Sequence, residues 1–189
     1  EVGDSVAYSY NVSQTEPMFP GQFSVLNSFP NTFAYDDVQV TLNVPSDLKA
    51  KYQVREMSEL IQKQKNRTIY TWRYQNPAPK KDKRKDFSVW DLESNPGFIY
   101  STFNSYQDIV NAYAKRAIPK AADTDEIRSL AKDIVGEVKA PKEKAQLLYE
   151  WVAKNITYAG HCIGVGAVVP HDISFILDNR MGDCKDQAT

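Results

Sequence analysis

Over roughly the first 95 residues, apolar and polar positions alternate with period two, which sends successive side chains to opposite faces of a strand. Val6, Tyr8, Tyr10 and Val12 alternate with Ser5, Ala7, Ser9 and Asn11. Val38, Val40, Leu42 and Val44 alternate with Asp37, Gln39, Thr41 and Asn43. Leu48, Ala50, Tyr52 and Val54 form a weaker run, and Thr68, Tyr70, Trp72 and Tyr74 a fourth. Turn formers separate them: Pro17, Pro20-Gly21, Pro30-Asn31, Pro45-Ser46-Asp47 and Lys65-Asn66-Arg67. One face of each run is polar, so residues 1–95 are predicted to form an antiparallel sheet or sandwich with a solvated side.

From about residue 104 the period lengthens to that of a helix. Tyr106, Ile109, Val110 and Tyr113 share one face, after a cap at Asn104 or Ser105. Asp123-Thr124-Asp125-Glu126 is an acidic first turn for Ile127, Leu130, Ala131 and Ile134, and Gly136 stops that helix. Pro141 suits a first helical position before the stripe Ala145, Leu148, Trp151 or Val152, and Ile156. A short helix follows from about His171 to Arg180, with Ile173, Phe175, Ile176 and Leu177 on its apolar side. These stripes are expected to be core. The predicted fold class is therefore α+β, a β-rich domain over 1–95 followed by a helical domain over 104–189.

Composition narrows the functional classes. Of 189 residues 42% are hydrophobic and 25% charged, which excludes a disordered chain. Twenty-three Lys and Arg against 24 Asp and Glu leave a formal charge of −1, without the basic excess of a nucleic-acid binder. No run approaches the ~18 apolar residues of a membrane span. With Glu1 in first position, the chain reads as a processed or excised piece. Residues 77–86 carry five bases and two acids. They read as a solvated loop, with an anion or membrane-surface site as the alternative. Gly164 and Gly166 make neither a phosphate loop nor a dinucleotide fingerprint, and two Cys and two His give no zinc spacing. No cofactor and no metal ion are expected.

Chemistry concentrates at Gly182-Asp183-Cys184. Gly permits a tight turn and Asp caps a helix, so Cys184 is predicted in a first helical turn. A helix N-terminus favours a thiolate, and its N–H groups can hold a developing oxyanion. Asp183 and Asp186 would oppose a thiolate if they lay close and uncompensated.

The segment 147–189 resembles the transglutaminase-like superfamily, the papain-related cysteine enzymes. The resemblance lies in Leu148-Tyr149-Glu150-Trp151-Val152-Ala153-Lys154-Asn155-Ile156-Thr157-Tyr158, in Pro170 with Ile176-Leu177-Asp178-Asn179-Arg180, and in Gly182-Asp183-Cys184-Lys185-Asp186-Gln187-Ala188. The Lys-Asp pair after the Cys is similar to a bacterial branch in which an uncharacterised β-domain precedes the core. The resemblance implies a partial transglutaminase-like, papain-like lobe with Cys184 as nucleophile and Tyr158 near the oxyanion region. It implies a protein or peptide substrate, and a periplasmic or secreted location.

In that superfamily the catalytic His and Asp follow the Cys, whereas His161 and His171 both precede it. The chain therefore reads as the front part of a longer enzyme, with no turnover of its own. Cys162 is open to two readings, a disulfide with Cys184 or a free packing thiol. The alternative function is a non-catalytic protein- or glycan-binding module on a degenerate scaffold of the same kind.

Overall fold

The alternation over Val38–Val44 and Thr68–Tyr74 becomes two long paired strands in the computed structural model, which describes residues 3–81, 94–160 and 162–189. β2 (Tyr35–Pro45) pairs antiparallel with β5 (Arg67–Asn76), setting Val40 opposite Trp72, Leu42 opposite Tyr70 and Val44 opposite Thr68. β4 (Ser58–Lys63) covers the other side of β5. A second sheet places β6 (Gly97–Ser101) between β1 (Ser24–Ser28) and β3 (Lys51–Arg55), again antiparallel.

The inward rows of the two sheets meet in one aromatic core of Val44, Trp72, Phe98 and Tyr100. The Trp72 ring stacks on Phe98 with centroids 4.3 Å apart. Its indole Nε1 donates to Glu59 Oε2 at 2.8 Å, so the fully buried ring keeps its polar group satisfied. This unit is Gly21–Asp108.

The shorter strands carry little alternation. β4 is an edge strand, exposed throughout, with Leu60 and Ile61 adjacent rather than alternating. Leu48 and Ala50 precede β3 instead of lying in it. The first run, predicted as a strand at Val6–Val12, is not one. Among the described residues no strand pairs with it, and Val6, Tyr8, Tyr10 and Val12 are 76–89% exposed. Alternation sorts side chains between two faces, but a strand also needs a partner for its backbone.

Residues 1–20 belong instead with Ile109–Thr189, so the division differs from one at 1–95 and 104–189. The attachment is chemical. Arg116 donates to the carbonyls of Pro17 and Met18 at 3.1 and 2.6 Å and pairs with Glu16.

α1 (Tyr106–Ala117) starts as predicted: the Ser105 hydroxyl accepts from Asp108 N–H, and Asp108 Oδ2 accepts from the Asn104 and Ser105 amides. Its apolar stripe, expected as core, is exposed at Tyr106 (88%) and Val110 (55%). α2 (Asp125–Val135) is capped by Thr124 and closes at Gly136, whose φ of 52° suits glycine. α3 (Pro141–Asn155) opens on its proline. The stripes of α2 and α3 face each other across an apolar groove of about 330 Å³ that includes Leu130, Ile134, Leu148, Trp151 and Ile176. α4 (Ile173–Asn179) buries Ile176. Of the stretch 77–86, residues 77–81 are exposed, while 82–86 lie outside the described residues. No described helix is long and apolar enough to cross a membrane.

Gly97 is where backbone approach is tightest. A Cβ there would stand 2.3 Å from the Asn27 carbonyl oxygen across the β1–β6 pair. Gly97→Ala should therefore destabilise the β unit by about 2 kcal/mol, whereas Gly160→Ala, with open space around it, should be near neutral. Urea unfolding followed by circular dichroism checks both.

Candidate active site

The site is assembled by two chain segments that leave helices and run side by side. α3 ends at Asn155, whose side-chain amide donates to the Trp151 carbonyl, and Ile156 turns the chain extended. α4 ends at Arg180 in the left-handed conformation, with its guanidinium 5.2 Å over the Trp151 ring. β7 (Thr157–Tyr158) and β8 (Met181–Gly182) then pair in parallel, Tyr158 opposite Gly182. Thr157 N–H donates to the Arg180 carbonyl at 2.8 Å, and Ala159 N–H to the Gly182 carbonyl at 3.0 Å. This pairing brings Tyr158 to the residues around Cys184.

α5 (Cys184–Ala188) begins one residue after β8, at the cap predicted from Gly182-Asp183. Asp183 accepts from the Lys185 and Asp186 amides, and Asp186 Oδ2 accepts in return from the Asp183 amide at 3.1 Å. Glycine is required at 182 for a reason other than a turn. A Cβ there would lie 2.7 Å from the Cβ of Asp186.

Both carboxylates are buried, and each is satisfied by groups that define the site. Asp183 also accepts from the Lys185 ammonium and from the Cys162 thiol, the latter at 3.7 Å. Asp186 accepts from the His171 amide at 2.8 Å and contacts His171 Nδ1 at 3.0 Å. His171 stacks on Phe175 with centroids 5.0 Å apart, so the segment entering α4 is tied to α5.

The electrostatics follow from these contacts. Burial pushes the Asp183 carboxyl up, but the Lys185 hydrogen bond, the Asp186 amide, the Lys185 charge and the Lys185 amide together hold it below the usual range. Burial likewise opposes Asp186, and donation from the His171 and Asp183 amides and from the His171 ring outweighs it. Lys185 is raised: burial lowers it, and its bond and charge pairing with Asp183 more than compensate. The Tyr158 hydroxyl is also raised, first by its electrostatic interaction with Cys184, then by burial and by Cys162 and Asp183.

Cys184 and Tyr158, singled out in the sequence, therefore lie in one neighbourhood, Tyr158 opposite Gly182. Cys162 joins them, and both cysteines are free and exposed. His171 is committed to Asp186, and His161 lies outside the described residues. Sequence reasoning marked Asp183 as a cap but missed Asp186 as its reciprocal partner and as the anchor for His171. The available signal was the Asp-x-x-Asp spacing, an acidic form of the capping box.

Comparison with known proteins bears on the fold. Residues 1–81 match the family described as "Domain of Unknown Function with solved-structure structure (DUF3857)", a match that covers β1 to β5 and stops before β6. The chain is also similar to a crystal structure described as a "putative protease" from Parabacteroides distasonis ATCC 8503, with a TM-score of 0.70 and 16% identity over 92% of this chain. It spans 34% of that protein's chain, about a third of its length. At this identity the likeness is one of fold, the mixed α+β arrangement of antiparallel sheets followed by helices. No curated protein matches the sequence.

Asp183 and Asp186 make the site sensitive to acid. Their folded pKa values lie below the unfolded value, so they contribute stability above about pH 4, and that contribution fades as pH falls through the folded values. Asp186→Asn should cost about 2 kcal/mol at pH 7 and flatten the acid limb of stability against pH. Denaturant unfolding between pH 2 and 7 measures both.

Proposed function

We propose that residues 104–189 are the front part of a transglutaminase-like, papain-like cysteine enzyme acting on protein or peptide substrates. The observation that carries this reading is the placement of Cys184. It is exposed, it opens α5 directly after a buried, fully satisfied cap, and the β7–β8 pairing sets Tyr158 opposite Gly182, two residues before it. A nucleophile needs this combination of an accessible reacting atom on a backbone that cannot shift. The resemblance over 148–188 supports the assignment, and the fold shared with the putative protease is compatible with it.

In this reading the Cys184 thiolate attacks the carbonyl carbon of a carboxamide or peptide bond. The tetrahedral oxyanion is met by the Tyr158 hydroxyl, the amine leaves, and a thioester remains on Cys184. Water as acceptor gives hydrolysis, and an amine gives cross-linking. The resemblance assigns the general base, a His oriented by an Asp, to sequence that follows Cys184. His171 is a positioning residue here, since its Nδ1 is held by Asp186 and its amide anchors the same carboxylate. The same resemblance supports a periplasmic or secreted setting.

An activated acyl ester, followed by intact-protein and peptide mass spectrometry, tests the assignment. One acyl group should appear on Cys184 of the 189-residue chain, without measurable amidase or transglutaminase turnover. Cys184→Ala should abolish the adduct, and Tyr158→Phe should slow its formation by about 100-fold. Acylation that ignores Cys184→Ala would overturn the reading and favour a non-catalytic binding module.

A further inference from the structure

Cys162 has no part in acyl transfer, yet it is held by the carboxylate that caps the helix of the nucleophile. Its Sγ donates to Asp183 Oδ2, and Asp183 immediately precedes Cys184. The Lys185 ammonium shares that oxygen. The Tyr158 hydroxyl feels the charge of both Cys184 and Cys162, and the Lys185 ammonium feels that of Cys162. The Cys162 sulfur therefore lies against the side chain of the residue that precedes Cys184, and both thiols are free and open to solvent.

The two thiols are mounted differently. Cys184 is fixed by the capping box. Cys162 lies outside any helix or strand, two residues before a short 3₁₀ turn at Gly164–Ala167 that opens on a φ of 57° at Gly164. A thiol is a weak donor, so its bond to Asp183 is cheaply given up. One fixed, exposed thiol beside one on irregular backbone is the pairing in which a second cysteine resolves an oxidised first.

We propose that Cys184 and Cys162 form a redox pair, in which a hydroperoxide oxidises Cys184 and Cys162 then closes the disulfide, reversibly masking the nucleophile. The inference rests on Cys184 being the reactive thiol of the preceding section. In the first step the Cys184 thiolate attacks the terminal oxygen of the hydroperoxide. The O–O bond breaks, and the leaving alkoxide or hydroxide takes up a proton, which leaves a sulfenic acid on Cys184. In the second step the Cys162 thiolate attacks that sulfur, the S–S bond forms, the S–O bond breaks, and hydroxide departs as water. Two thiols lose two electrons and two protons, and the hydroperoxide is reduced to an alcohol, or to water if it is hydrogen peroxide, with one further water released. A dithiol reductant reverses the change.

The test treats the reduced 189-residue chain with one equivalent of hydrogen peroxide. Thiols are then counted under denaturing conditions, and intact mass and disulfide-linked peptides are measured. Both thiols should disappear together, the mass should fall by about 2 Da, a peptide joining Cys162 to Cys184 should appear, and dithiothreitol should restore both thiols. In Cys162→Ser, Cys184 should instead gain one oxygen as a sulfenic acid, and a second equivalent of peroxide should carry it to a sulfinic acid that dithiothreitol does not reverse. Oxygen on Cys184 of the wild-type chain with Cys162 still free, a disulfide between two chains, or a Cys184 inert to peroxide would each overturn the proposal. Acyl trapping without peroxide reports separately on the nucleophile. A disulfide with no acyl adduct would sink the enzyme reading and leave the redox pair standing, and an adduct with no disulfide would do the reverse.

Discussion

Two buried carboxylates that must be satisfied govern the geometry of the site. An ionised Asp removed from water is tolerated only when donors replace its hydration. Asp183 and Asp186 meet that demand by capping each other's backbone and by drawing in the Lys185 ammonium, the Cys162 thiol and both the amide and the ring of His171. Among the described residues no buried side-chain polar atom is left without a partner. The start of α5, the approach of the segment before α4 and the position of Cys162 follow from this requirement. The exposed sulfur of Cys184 therefore stands on a helix start that these buried contacts set.

The β unit solves a different problem, that of making a core from short strands. Its answer is aromatic: Trp72 on Phe98, with Tyr52, Tyr70 and Tyr100 around them at centroid distances of 5.1 to 6.3 Å. Large flat rings bury much area per residue, which suits sheets of three strands each. Glu59 joins the two layers at one polar point, accepting from the Trp72 indole on β5 and from the Tyr52 hydroxyl on β3.

The helical stripes show what periodicity does and does not convey. The stripes of α2 and α3, expected as core, line a shared groove instead, and neither helix holds a buried residue. The equally regular stripe of α1 is exposed, and the alternating run Val6–Val12 finds no strand among the described residues. Periodicity reports which side of an element is apolar, whereas burial depends on what another part of the chain brings to that side.

Local chemistry was legible in the sequence because it acts over a few residues. Alternation marked β2 and β5, Ser105, the acidic turn Asp123-Thr124-Asp125-Glu126 and Pro141 marked helix starts, and Asp183 marked the cap before Cys184. Edge strands such as β4 escaped, because an exposed strand has no need to alternate. The tertiary structure alone decided which distant groups share the site. The two-residue pairing of β7 with β8 carries Tyr158 to Cys184, and the unmet hydrogen-bonding capacity of Asp183 and Asp186 recruits Cys162 and His171. Those partners lie 21 and 15 residues from their carboxylates. No local pattern encodes such a separation, since the choice among distant donors is made by folding, when every buried charge must find one.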